Sequence, residues 1–299
     1  MKFKLFVVAV AAVLALTSGA TAEEYVTTLA IDGTVINTFA AGIPDDQLVM
    51  FVEVDPNGDI WIGKMDSGHG TNQFNPNDQV IRFSPTGSPL QIVKGPTRYQ
   101  TAIGFDSSFN LYIGGKPDGG ALGTNNIYRF SQDGTYDTSF GILNDNVEDL
   151  AITAGDRIFA VTNNVMLLQE YNTSGTRLNN LQVNNFMGRF MALDGSETTL
   201  WCYQNFNGTG ENTITSYNLS LVGQSSIGLD PIGNPNLEGL EVMSSGNLLA
   251  LDGDPSATFY EINNAGTLVN TLSFPEMTSA RRLALDKEVN LVVVHGKEA

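Results

Sequence analysis

The sequence predicts an all-β protein, a six-bladed β-propeller with four antiparallel strands in each blade. Three observations predict it. An apolar strand, a polar turn and a second apolar strand recur six times along the chain. A further hairpin follows each of the first five. The units repeat with a mean period of about 46 residues, the length of a four-stranded blade. No helical periodicity competes over any long stretch.

The first hairpins read VEVDPNGDIWIG (52–63), IGFDSSFNLYIGG (103–115), LAITAGDRIFAVT (150–162), MALDGSETTLWCYQ (191–204), LEVMSSGNLLALD (240–252) and LALDKEVNLVVVHG (283–296). Their second strands are rich in Ile, Val, Trp, Tyr and Phe, which suit a pleated sheet. The second hairpins are QVIRFSPTGSPLQIV (79–93), NIYRFSQDGTYDTSF (126–140), LLQEYNTSGTRLNNLQV (167–183), TITSYNLSLVGQSSI (213–227) and TFYEINNAGTLVNTLSF (258–274). Gly87, Gly134, Gly175 and Gly266 supply the positive φ that tight turns need, and only NLSLVG departs from the pattern. The sixth unit has one hairpin. Its complement lies at the other end of the chain, EYVTTLAIDGTVINTF (24–39), so the N-terminal hairpin is expected to complete the last blade and leave no free edge there.

Residues 1–22 read as a leader. Lys2 and Lys4 precede an apolar run, Leu5–Leu16, and Ala20-Thr21-Ala22 forms an A-x-A cleavage site. The run is short of the roughly 18–20 residues that span a bilayer. The expectation is an exported protein, secreted or periplasmic, with residues 23–299 as one propeller domain. Composition narrows the function. The 299 residues carry a net charge of -17, and losing Lys2 and Lys4 with the leader makes it -19. Such a surface repels nucleic acid and anionic membranes. A single Cys excludes an internal disulfide and any multi-Cys metal site, and two His leave little for zinc or acid–base chemistry.

VEVDPNGDIWIG followed by QVIRFSPTG resembles an NHL repeat, and IGFDSSFNLYIGG with NIYRFSQDGT matches nearly as well. The resemblance extends to the six-bladed propellers that include NHL-type binding proteins and the senescence-marker/gluconolactonase lactonases. The lactonase resemblance implies a divalent metal held by Glu, Asn and Asp at the starts of the inner strands. The corresponding places here are Met50, Thr101, Glu148, Arg189, Glu238 and Arg281. Only two are carboxylates, none is Asn, and LEGLEV (237–242) lacks the proline of an E-G-P motif. The family's metal site is not reproduced.

Those places carry a pattern of their own, since Glu148, Arg189, Glu238 and Arg281 alternate in charge around the expected channel mouth. One reading is a ring of ion pairs that plugs the channel. The other is a pocket for a zwitterion, sugar or peptide, gripped in part by the Arg fork. Glu238, Asp252 and Asp254 offer three hard oxygen ligands for Ca²⁺, although Asp, Asn and Gly in short loops are turn residues first. By the same logic Asp55-Pro56-Asn57-Gly58-Asp59 reads as a turn. His69 falls in one of the longer loops (64–78, 115–125 and 205–212) and has no partner that would make it a base. Cys202, Trp61 and Trp201 read as core. Sequons occur at Asn172, Asn207 and Asn218. Two functions follow: a non-enzymatic binding or scaffold protein that holds a protein or small polar ligand on its channel-mouth face, or a metal-dependent lactonase or esterase.

Overall fold

The computed structural model describes residues 23–44, 47–66, 78–94, 99–116, 125–141, 146–162, 167–182, 188–205, 212–233, 235–253, 255–286 and 288–297. The N-terminal hairpin is β1 (Glu23–Leu29) and β2 (Val35–Pro44). One antiparallel sheet follows of β3 (Gln47–Val54), β4 (Ile60–Asp66), β5 (Gln79–Phe83) and β6 (Pro89–Lys94). The next holds β7 (Tyr99–Phe105), β8 (Leu111–Lys116), β9 (Ile127–Phe130) and β10 (Tyr136–Phe140). Then come β11 (Val147–Ile152), β12 (Ile158–Thr162), β13 (Leu167–Tyr171) and β14 (Arg177–Gln182). The fourth sheet is β15 (Gly188–Leu193), β16 (Thr199–Gln204), β17 (Thr213–Asn218) and β18 (Gly223–Gly228). The last elements are β19 (Leu237–Val242), β20 (Leu248–Asp252), β21 (Ser256–Ile262), β22 (Leu268–Leu285) and β23 (Leu291–Lys297). A 3-10 turn at Asp230–Ile232 is the one helical element among the described residues.

The fifth sheet has seven strands, ordered β19-β20-β21-β22-β23-β1-β2. The 18-residue β22 serves twice. Its first part pairs with β21, and the part from Met277 to Leu285 pairs with β23. β1 inserts between β23 and β2, with registers from Tyr25↔His295 to Leu29↔Leu291. The ends of the chain are thereby stitched together, as the hairpin pattern predicts. His295 lies in this joint. Its Nδ1 is 2.6 Å from the Gly296 carbonyl, which can only accept, so Nδ1 carries the proton. Nε2 lies 2.9 Å from Thr27 Oγ1 and in the neutral ring accepts from that hydroxyl.

The innermost strands β3, β7, β11, β15, β19 and β22 each neighbour the next, and β22 neighbours β3, so they close a ring. The core lies between consecutive sheets. Phe51, Trp61 and Val80 pack against Ile103, Ile113 and Tyr128, for example, and Val26, Val292 and Val294 close the circuit against Val52, Ile60 and Ile62. Trp61 and Trp201 are buried in these layers, as is Cys202, whose thiol burial holds neutral far above its ordinary range. Gly239 permits the close approach of β19 to β22, because a Cβ there would meet Leu283 Cβ at 2.8 Å.

Turn chemistry explains the hairpins. Asp55 Oδ1 accepts from the amides of Asn57 at 2.8 Å and Asp59 at 3.1 Å, and Oδ2 accepts from Trp61 Nε1 at 3.0 Å. Arg82 bridges Asp55 and Asp59 at 3.4 and 2.6 Å and lies over the Trp61 ring. The acidic stretch is therefore a turn. In the third and fourth sheets the left-handed turn residue is not Gly but Asp156 and Glu197. Each uses its carboxylate on the preceding sheet's turn. Asp156 accepts from the Ser107 amide and hydroxyl at 2.7 and 2.9 Å, and Glu197 from the Ala154 amide at 2.7 Å.

The divergent turn NLSLVG keeps the hairpin geometry with Leu221 at φ 60°, where the other second hairpins place Gly87, Gly134, Gly175 and Gly266. The left-handed backbone costs about 1–2 kcal/mol. Leu221 is 4% exposed in an apolar cluster with Phe159 and Tyr217, and removing such a side chain costs about 2–5 kcal/mol. Packing outweighs strain. Leu221→Gly should lower stability by about 1–3 kcal/mol in urea unfolding, although it relieves the backbone. A stabilised variant would show that strain dominates.

Candidate functional site

Every inner strand carries a register break near its start. The pairings skip Met50 in β3, Thr101 in β7, Glu148 in β11 and Glu238 in β19. In β15 they skip Arg189 and Phe190, and in β22 Ser279, Ala280 and Arg282. A bulge leaves its residue outside the ladder and re-aims the neighbouring side chains. Adjacent inner strands belong to different ladders or to distant parts of one, so other bonds must tie them. Thr101 Oγ1 donates to the Val147 carbonyl, joining β7 to β11. The Met191 amide donates to Asp149 Oδ2 at 2.7 Å, joining β15 to β11. Arg282 Nε donates to the Met50 carbonyl, joining β22 to β3.

These strands enclose a cavity of about 50 Å³ on the ring axis, and all six contribute lining. Its charged residues are Glu53, Asp149, Glu241 and Arg282. The acids come from alternate inner strands, β3, β11 and β19. Positions equivalent to Glu53 and Glu241 hold Gly104, Ala151, Ala192 and Ala284 in the other four strands, which leaves room for the two longer side chains. Arg282 sits at φ 61° and its guanidinium lies 4.5 Å from the Phe190 ring centroid. Phe190 belongs to β15, which is not a ring neighbour of β22, so the side chain reaches across the axis.

The cavity admits water, but the protein surrounds the acids, and desolvation is the largest influence on each. Burial raises Asp149 to about 7, although Arg282 and the amides of Met191 and Leu150 pull the other way. Burial raises Glu53 to about 8 against the Val54 amide, with Asp149 adding repulsion. Glu241 is pushed well above its ordinary value by burial, then by Glu53 and Asp149. Among the described residues no three Asp, Glu, His or Cys side chains are close enough together to hold a metal ion.

No family model matches the chain, and no curated protein sequence is significantly similar to it. Solved structures are similar in fold. Hydrazine synthase of Kuenenia stuttgartiensis superposes with a TM-score of 0.60 at 9% identity, covering 82% of this chain and 73% of that one. Virginiamycin B lyase from Staphylococcus aureus gives 0.56 at 14% identity, covering 82% and 79%. A protein of unknown function from Bacteroides caccae gives 0.61 at 11%, covering 93% and 100%. The first two are β-propellers.

The chain has the β-propeller fold.

In this propeller Glu148, Glu238 and Arg281 are partly buried beside the register breaks, and none of them lines the axial cavity. Arg189 lies in β15, but its side chain falls outside the described residues, as do Asp254, His69, Asn207 and most of the three longer loops. Asp252 ends β20 opposite Leu237, the residue before Glu238, and the remaining described donors add no third carboxylate there. Among the described residues, the donors that the lactonase resemblance implies are not brought together. The axis is instead occupied by Asp149, Glu241 and Arg282, each one or three residues beyond a predicted position, together with Glu53. A signal for two of them was present in the sequence, namely Glu at a position that four other strands fill with Gly or Ala.

Among the described residues Arg282 is the one cation lining the cavity, so its removal leaves the acids uncompensated. Arg282→Met should cost roughly 3–5 kcal/mol at pH 8, measured by urea unfolding, and less in acid where the carboxyls take up protons. Asp149→Asn on that background should recover part of the loss. Strictly additive effects would contradict the coupling.

Proposed function

We propose that the chain is an exported, six-bladed, NHL-like propeller that acts as a binding or scaffold protein through its channel-mouth face. The observation that carries this reading is the state of the axis. A cavity of about 50 Å³ holds a few waters, whereas pockets for organic ligands run to about 300–1,000 Å³. Its cation is engaged with a backbone carbonyl and an aromatic face. Such an axis favours a structural core over a reaction centre, which leaves the outer face for recognition.

Other observations support the finer points. Four sheets of four strands, plus a sheet in which β22 acts as the outer strand of one unit and the inner strand of the next, favour a count of six blades. The Asp55–Trp61–Arg82 network uses the residues of the NHL-like motif. Export rests on the leader pattern of residues 1–22, and no helix among the described residues is long and apolar enough to cross a membrane. On this reading Glu148, Arg189, Glu238 and Arg281 contribute to the face that meets a protein or small polar ligand.

Thermal unfolding of the mature protein with EDTA and with added Ca²⁺ separates the two functions. A ligand at a hundredfold excess over its dissociation constant adds about 2.7 kcal/mol. The binding reading predicts no stoichiometric metal, no shift with Ca²⁺ and no turnover of lactones. It also predicts that a shortened 64–78 loop folds normally but loses any partner captured from the exported fraction. A stoichiometric metal with a clear shift would support the hydrolase instead and make Glu148, Glu238, Asp252 and Asp254 the first residues to replace.

A further inference from the structure

Among the described residues three acids and one base share the axial cavity, and if all were ionised they would leave a net charge of minus two in a space for a few waters. Hydrogen bonding ranks the acids. Asp149 accepts two backbone amides, from Met191 at 2.7 Å and Leu150 at 2.9 Å, so it is the first of the three acids to ionise opposite Arg282 as pH rises. Glu53 accepts one, from Val54 at 3.1 Å. Glu241 accepts no protein hydrogen bond among the described residues, so an anion there would have only cavity water to solvate it, which is costly.

We propose that the axial core is a proton-dependent clamp: Glu241 and Glu53 hold protons in the folded protein, and the ring of inner strands is tight in acid and loosens as the solution turns mildly alkaline.

The surrounding groups fit this assignment. β7 lines the cavity with Thr101 and Ile103 and β15 with Phe190 and Met191, none of which titrates. Behind β15 the Cys202 thiol stays neutral. Glu148 stands beside Asp149 on β11, Glu238 precedes Glu241 on β19, and Arg281 precedes Arg282 on β22; none of the three lines the cavity. One base thus balances one acid, and the other two acids are neutral only when protonated. Their folded values lie above the ordinary 4.5, with Glu53 at about 8. For Glu53 the stabilisation is fully present below about pH 4.5 and is lost as pH rises through about 8, and Glu241 acts in the same direction. Between those limits the folded chain holds more protons than the unfolded one, so each retained proton raises the unfolding constant about tenfold per pH unit.

The chain's net charge of -17 slopes stability in the same direction, so the test is a difference between variants. Glutamine mimics the protonated acid. Urea unfolding of the mature protein, Glu53→Gln, Glu241→Gln and the double variant is compared from pH 5 to pH 8. The double variant should lose one to two protons' worth of pH dependence and exceed the parent at pH 8, with little difference at pH 5. Carboxyl NMR of the unmodified protein should place Glu53 and Glu241 midpoints above pH 6, a readout that needs no variant to fold. Equal slopes in all four proteins, or both midpoints in the ordinary carboxylate range, would overturn the proposal.

Discussion

The pairing of β1 with β23 is the joint on which the ring depends. The four-stranded sheets each form from strands adjacent in sequence, so their ladders are local. The last joint instead brings Thr27 to within 2.9 Å of His295, 268 residues away along the chain. Loop closure over that distance is slow, though it grows in cost only logarithmically with length. Once made, the joint hides the edges of β1 and β23 and completes the apolar layer against β3, β4 and β5. It stands beside the contact of β22 with β3 that closes the inner-strand ring.

Closure creates the second constraint. Six strands that converge on one axis must fill it with matched volume and charge. Gly104, Ala151, Ala192 and Ala284 are small where Glu53 and Glu241 are long. Arg282 reaches across to Phe190 from a left-handed backbone, a conformation that costs about 1–3 kcal/mol and persists where surrounding contacts fix it. Thr101, Asp149 and Arg282 supply the cross-strand bonds that the ladders do not. The axis is thus a polar core with its own balance of protons.

Much of the fold was legible in the sequence because turn chemistry is local. Asp55 and Gly58 mark a hairpin in one short stretch, and the unpaired last hairpin points to the N-terminus. Leu221 was harder to read, because a buried side chain compensates for a left-handed backbone, and burial is not local information. The axis was legible only in part. Aligning the starts of the inner strands points to Glu148, which the register skips, and to Arg281, which is paired beside a break. The bulge changes which residues reach the axis, so Asp149 and Arg282 line it instead. Asp156 and Glu197 follow the same logic, since their value lies in bonds to the preceding sheet's turn.

Hydrogen–deuterium exchange read strand by strand tests the closed ring most directly. The account predicts that Val26–Leu29 and Val292–Val294 exchange as slowly as the inner strands, through one global opening. Rapid, independent exchange of β1 with the remaining sheets still protected would contradict it, because the ring would then stand without its joint.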